Sequence, residues 1–389
     1  MAVFASILIA AATAALSIPS GPFGDAFYTP PRLLPSANEG SIVRAQPLSG
    51  GSALPSAANN YRMLYETLSS NGVFIAISGT LAIPNGAAPP RGWPVISYAH
   101  GTVGNAPECA PSRRPKPNVE QRMLDEFVQR GYAVAQTDYE GNGTPGIHPY
   151  MVAATLARDV TDIVISSREL DPQIGRDWVA MGHSEGGSVA LATAAIGQRL
   201  APNLNLLGAV AYAPVVNPEA TLAYELHSDS PSGALAIVAL LIEGFATVDP
   251  RVVPSQILEP QFLPLLTELQ QHCIDDLMEH SAWSSTIPTT VFRPQGQDAV
   301  EALYADLRQN DATYFLISVP TLILNGVSDM MVSSERTMIL ADRFRRNGTP
   351  VTFKAYSGAT HDSVLDASVN DVAPWLAQRF ADSAASYVK

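Results

Sequence analysis

Charge is scarce in this chain, and basic charge is scarcest. Of its 389 residues 15% are charged, with 23 Lys and Arg against 36 Asp and Glu, giving a formal net charge of −13. No Lys/Arg cluster exceeds a few residues, which removes the electrostatic footprint of a polyanion-binding surface, so no nucleic-acid partner is expected. Cysteine is nearly missing too. Cys109 and Cys273 are the whole complement, leaving either one bridge or two buried thiols. A bridge would close a loop of about 165 residues and stabilise by roughly 5 kcal/mol in the chain-entropy model. Long apolar runs are absent beyond residues 2–18, where no acidic residue precedes Asp25 and no basic one precedes Arg32. That stretch has the length of a signal-peptide core rather than a membrane span, with only the terminal amine as its basic flank. Secretion is therefore expected, without stable membrane insertion.

What is present is a well-buried globular composition, 47% hydrophobic, in a length that suits one large α/β domain with an insertion. Residues 19–60 are rich in Pro, Ser, Gly and Ala without a sustained period and read as an irregular arm. Strand and helix patterns then alternate from 61 to 216. The alternating run Val73–Pro84, the apolar Pro94–Ala99, and Tyr132–Thr137 predict strands, with a helix from Asn118 to Arg130 capped by Asn118. A helical period over about 150–170 follows, and Leu206–Tyr212 reads as a further buried strand. From 217 to 310 the chain is helix-like with several Pro breaks, an inserted cap. The strand–helix rhythm resumes over 311–389 with Pro320–Asn325, a helix Ser334–Arg346, strand Val351–Tyr356 and a last helix to about Ala384. Such alternation implies a mostly parallel central sheet with helices on both faces.

The chemistry centres on Val179-Ala-Met-Gly-His-Ser-Glu-Gly-Gly187, the one match to G-x-S-x-G, between a strand and an Ala-rich helix. A sharp strand-to-helix turn strains the serine, and side chains two positions either side would collide, so both are glycine. Ser184 is the expected nucleophile, and the Glu185 N–H at the helix start faces a developing oxyanion. A serine needs a base, and the base an orienting acid, on loops after later strands. His280 falls inside the cap, whereas His361 follows strand Val351–Tyr356 and Asp329 follows strand Pro320–Asn325. Asp362 and Asp366 are rival acids, but both sit beside His361 on the helix it opens. The loop His100-Gly101-Thr102-Val103-Gly104 supplies the second oxyanion donor, through the N–H of Gly101 or Thr102. His148 and His183 read as structural. No spaced His/Cys/Asp/Glu set suggests a metal, and no cofactor is expected.

Further stretches carry a resemblance: Asp25-Ala-Phe-Tyr-Thr-Pro30, Tyr61-Arg-Met-Leu-Tyr65, Ser78-Gly-Thr80, Tyr98-Ala-His-Gly-Thr102, Cys109-Ala-Pro, Asp138-Tyr-Glu-Gly141, His148-Pro-Tyr150 and Gly358-Ala-Thr-His361. With the elbow they resemble the secreted lipases of the Candida antarctica lipase A type, which are α/β hydrolases. The resemblance implies an α/β-hydrolase fold, a helical cap before the acid-bearing strand, an acyl-ester or lipid substrate, and pairing of Cys109 with Cys273. Two features depart from that pattern. Glu185 stands where Gln is common, and the C-terminal extension with a second cysteine pair is lacking. The function implied is a serine carboxylic-ester hydrolase. An esterase or acyltransferase for an acylated natural product, or a non-catalytic binding module, are the alternatives.

Overall fold

The computed structural model describes residues 18–293 and 296–386. The proposed signal segment lies, but for Ile18, outside the described residues. Strands in chain order are β1 Ile42–Pro47, β2 Asn59–Leu68, β3 Phe74–Ile83, β4 Trp93–Ala99, β5 Ala133–Thr137, β6 Ile174–His183, β7 Asn205–Tyr212, β8 Thr321–Gly326 and β9 Val351–Tyr356. They form one nine-stranded sheet in the order β1-β2-β3-β5-β4-β6-β7-β8-β9. The pairs β1–β2, β2–β3 and β3–β5 are antiparallel, and every pair from β5 to β9 is parallel. The chain leaves β4 to form β5 on one side and returns to form β6 on the other. Loops after β4 and β6 therefore open onto the crevice at the switch point, where ligands of open α/β sheets bind.

Helices α1 Asn118–Gln129, α2 Ala153–Leu170 and α3 Glu185–Leu200 connect the first strands. Between β7 and β8 lie α4 Pro218–Glu225, α5 Ala234–Ala246, α6 Pro254–Ile257, α7 Ile274–Glu279, α8 Ala282–Ser285 and α9 Gln297–Asn310. The chain then adds α10 Ser334–Arg346 and, after β9, α11 Val364–Ser386. Both faces of the sheet are covered. One core joins Leu156, Val160 and Ile163 of α2, Val189 and Leu191 of α3 and Phe344 of α10 to the strands. The other joins Leu124 and Phe127 of α1 to Val364, Val372 and Leu376 of α11 across Ile96, Val179 and Leu322. Each side of a parallel strand thus meets helix, which is why these strands read as continuous apolar runs.

The helical segment between β7 and β8 has a core of its own. Leu235, Val238, Leu241, Ile242 and Phe245 of α5 pack with Trp283, Leu303 and Leu307, and with Tyr150 and Met151 from the loop before α2. Helix α5 is apolar but for Glu243 because it is the centre of that cluster. Its approach to the loop is close, since a Cβ on Gly244 would lie 2.5 Å from Tyr150 N.

Two local expectations are corrected. The arm is not wholly irregular: residues 24–28 form a 3₁₀ turn, and β1 pairs antiparallel with β2, which itself begins at Asn59. An edge strand needs one partner only, and β1 is buried at four of six positions, so no alternation marks it. The cap of α1 is Pro117 rather than Asn118, without a side-chain hydrogen bond.

Candidate active site

The end of β6 turns sharply into α3 at Ser184, whose φ of 58° and ψ of −119° are strained for a residue with a side chain. The flanking glycines have a steric cause. A Cβ on Gly182 would stand 2.1 Å from Gly186 O, and one on Gly186 would stand 2.0 Å from Ala99 O at the end of β4. Ser184 N–H donates to Tyr212 O at 2.9 Å, tying the turn to β7. Glu185 opens α3, and the first N–H groups of a helix have no intrahelical acceptor.

Asp329 follows β8 and His361 follows β9. Asp329 Oδ2 accepts the His361 Nδ1–H at 2.8 Å, while Oδ1 accepts the N–H groups of Met331 and Val332, each at 2.8 Å. Burial alone would raise the Asp329 carboxyl, but the His361 and backbone hydrogen bonds outweigh it and hold it below the ordinary carboxylate value. With Nδ1–H given to Asp329, the neutral ring keeps its lone pair on Nε2. Of the rival acids, Asp366 pairs with Arg122, and Asp362 is exposed. Ser184 Oγ makes no hydrogen bond to His361 among the described residues. His361 is nonetheless held against the elbow, because His183 Nε2–H donates to His361 O at 2.9 Å and the two rings lie 4.5 Å apart.

Gly101 and Thr102 sit where the loop after β4 meets the elbow. A Cβ on Gly101 would be 3.5 Å from Ser184 Cβ. Thr102 Oγ1 is hydrogen-bonded to Tyr150 OH at 2.8 Å, and the Tyr139 OH donates to His100 O at 3.0 Å. The same loop is fastened to the helical segment. Ile274 N–H donates to Val103 O at 2.9 Å, and Asn105 Nδ2 donates to Glu243 Oε2 at 2.9 Å. Cys109 and Cys273 are joined, with Cα atoms 5.5 Å apart. Ligand atoms of His183, His361 and Asp362 come within 4.8 Å of one another. His361 gives its Nδ1–H to Asp329 and His183 its Nε2–H to His361 O, so each ring keeps its other nitrogen as a lone pair, and Asp362 is exposed.

The sequence alone reads His183 and His148 as structural, takes Asp138-Tyr139-Glu140-Gly141 as the end of its strand rather than pocket lining, and gives Tyr150 no role. His183, His148, Tyr139 and Tyr150 each contact the loop, the elbow or the histidine. The signal for His183 is its place beside the serine, and for His148 its place in His148-Pro-Tyr150.

The mostly parallel sheet and the strained serine turn between β6 and α3 define an α/β-hydrolase fold. Comparison with known proteins agrees: residues 116–387 match the secretory lipase family, and the chain belongs to it. It is similar to a probable inactive lipase of Mycobacterium tuberculosis, at 24% identity over 92% of this chain and 82% of that protein. It is also similar to Lipase 5 of Candida albicans, at 26% identity over 69% of this chain, which spans 60% of that relative's length. Among solved structures, Candida antarctica lipase A superposes with a TM-score of 0.71 at 16% identity, over 86% of this chain and 80% of that one. The rice cell wall degrading esterase LipA of Xanthomonas oryzae does so with 0.68 at 18% identity, over 84% and 93%. The family and the disulfide fit an extracellular protein, and no helix among the described residues is long and apolar enough to cross a membrane.

Proposed function

We propose that this protein is a secreted serine carboxylic-ester hydrolase acting on acyl esters. Ser184 attacks the ester carbonyl while His361 Nε2 takes its proton, and Asp329 keeps the imidazole in the required tautomer and orientation. The N–H groups of Glu185 and of Gly101 or Thr102 receive the developing oxyanion. His361 then protonates the departing alcohol, leaving an acyl-Ser184 that water hydrolyses by the same relay. No metal or cofactor enters this reading. The observation that carries it is the 2.8 Å His361 Nδ1–Asp329 Oδ2 hydrogen bond, held beside a serine at φ 58°.

The helical segment 217–310 is the proposed cap. Its ties to the loop 100–105 support a role in walling an acyl chain near Ser184 and excluding water there. A second reading has one observation in its favour, the similarity to a probable inactive lipase. A binding module on this fold would keep the shape without turnover. Hydrolysis of a series of p-nitrophenyl esters of increasing chain length separates the two. Turnover lost in Ser184→Ala supports the hydrolase and ranks its acyl preference. Absence of turnover across the series contradicts it.

A further inference from the structure

Glu185 is the residue at which this chain departs from the Gln common after the nucleophile, and its carboxyl is fully buried. Oε1 lies 2.9 Å from His148 Nε2, and the two side chains are 1% and 2% exposed. His148 Nδ1 lies 2.9 Å from Glu140 O. A carbonyl oxygen only accepts, so Nδ1 carries a proton. A neutral His148 would then turn a bare Nε2 lone pair towards Glu185, and an ionised carboxylate would meet it with a second lone pair. Two acceptors do not hold 2.9 Å. One further proton therefore lies between Nε2 and Oε1, and the pair is neutral overall, as His148⁺–Glu185⁻ or as His148 with a protonated Glu185.

The pair is linked to both proposed oxyanion donors. Glu185 contributes its own N–H on one side. On the other, the His148 ring stacks on Tyr139, centroids 5.5 Å apart at 15°, and Tyr139 OH holds the carbonyl of His100 ahead of Gly101. Tyr150, 6.1 Å from His148 between ring centroids, holds Thr102. The other ionisable groups in this shell are His100, Glu140 and Asp159, and the last accepts the Glu140 N–H at 2.8 Å rather than touching the pair. Glu140 and Asp159 are acids, and His100 turns its ring nitrogens towards Gly101 O and Asp138 O rather than towards Glu185.

We propose that Glu185 and His148 form a proton-sharing pair that leaves no net charge on the side chains behind the oxyanion-hole N–H. His148 is thereby a positioning residue for ester hydrolysis. This rests on the hydrolase reading above. At an effective protein dielectric of about 20, a bare carboxylate about 6 Å from a developing negative charge slows a reaction on the order of 100-fold.

The test compares wild type, His148→Gln and the double variant His148→Gln/Glu185→Gln with a p-nitrophenyl ester, folding being checked by circular dichroism. In the single variant Glu185 keeps an amide partner but loses its compensating proton, so kcat falls about 30- to 100-fold with KM little changed. Neutralising the carboxyl in the double variant restores at least tenfold of that loss. A merely structural role predicts the reverse, a double variant no better than the single, and that result overturns the proposal. ¹⁵N NMR of histidine-labelled protein at pH 7 decides the pair without any turnover. The His148 signals, identified by their loss in His148→Gln, should show Nδ1–H and a hydrogen-bonded proton at Nε2. An unprotonated Nδ1 overturns the pair, whereas absent ester turnover in wild type overturns the hydrolase reading on which its catalytic role stands.

Discussion

His183 donates its Nε2–H to the carbonyl of His361 at 2.9 Å, so the residue before the strained serine holds the backbone of the residue proposed to activate it. The variable position of the elbow is thereby coupled to the loop after β9, which is 178 residues away in the chain. Burial, with the neighbouring His361 adding to it, pushes the His183 imidazole down to about 3. It stays neutral above that value, with Nε2–H available to donate.

This sets a stability-versus-pH slope. Between about pH 3 and the ordinary histidine value of 6.5 the unfolded chain binds the proton that folded His183 refuses. Stability therefore rises with pH through that window, by on the order of 5 kcal/mol. Urea unfolding at pH 4.5 and pH 7 should show the slope, and His183→Gln should flatten it. The same variant should lower kcat by roughly tenfold or more as the His361 loop loosens. An unchanged slope would remove His183 as the titrating group.

Glu243 gives a slope of the opposite sign. Burial raises its carboxyl to about 7, partly offset by hydrogen bonds from Asn105 and Gln270. The folded state thus holds a proton that the unfolded chain releases near 4.5. That contribution is present below 4.5 and is lost as pH rises to about 7, by on the order of 3 kcal/mol. Glu243→Gln keeps both hydrogen bonds and should make the protein more stable than wild type at pH 8, but not at pH 4. Equal effects at the two values would contradict the assignment.

Reducing Cys109–Cys273 opens the covalent tie between the loop after β4 and the helical segment. With 164 residues enclosed, the expected loss is about 4 to 5 kcal/mol. Cys109→Ala/Cys273→Ala should show a lower midpoint of thermal unfolding and a lower turnover. A lower midpoint with undiminished turnover would confine the bridge to stability.

Small residues on α5 do not face an open acyl chamber. Ala236 and Ala239 are buried in the segment's own core, so Ala239→Phe should overpack it and cost about 1 to 3 kcal/mol. Chemical denaturation reads this directly, and an unperturbed stability would show free space beside α5.

Much of this architecture was legible because the physics was local. β6, the glycine-framed turn and α3 announce themselves through an apolar run, paired glycines and an Ala-rich helix, and the bounds of α10 and β9 match expectation. Asp329 and His361 followed from the requirement that partners sit after later strands, and the structure brings them within hydrogen-bond reach. β1 was hidden because an edge strand in a Pro- and Gly-rich stretch takes its register from β2 rather than from its own pattern. The His148–Glu185 contact was hidden for another reason. It joins residues 37 apart that only the fold brings together, and nothing in either neighbourhood marks the partner.

The triad assignment makes a graded prediction. Ser184→Ala and His361→Ala should each cost on the order of a million-fold in kcat, and Asp329→Asn less, but still several orders of magnitude. Asp362→Asn should stay within a few-fold of wild type. Loss in Asp362→Asn with a normal Asp329→Asn would reassign the acid.

The most direct measurement is the pre-steady-state time course with a p-nitrophenyl ester, followed by mass spectrometry of the quenched protein. The account predicts a burst of about one p-nitrophenol per protein and an acyl mass on the peptide containing Ser184, both absent in Ser184→Ala. Turnover without an acyl mass on that peptide, or a burst that survives Ser184→Ala, would contradict it.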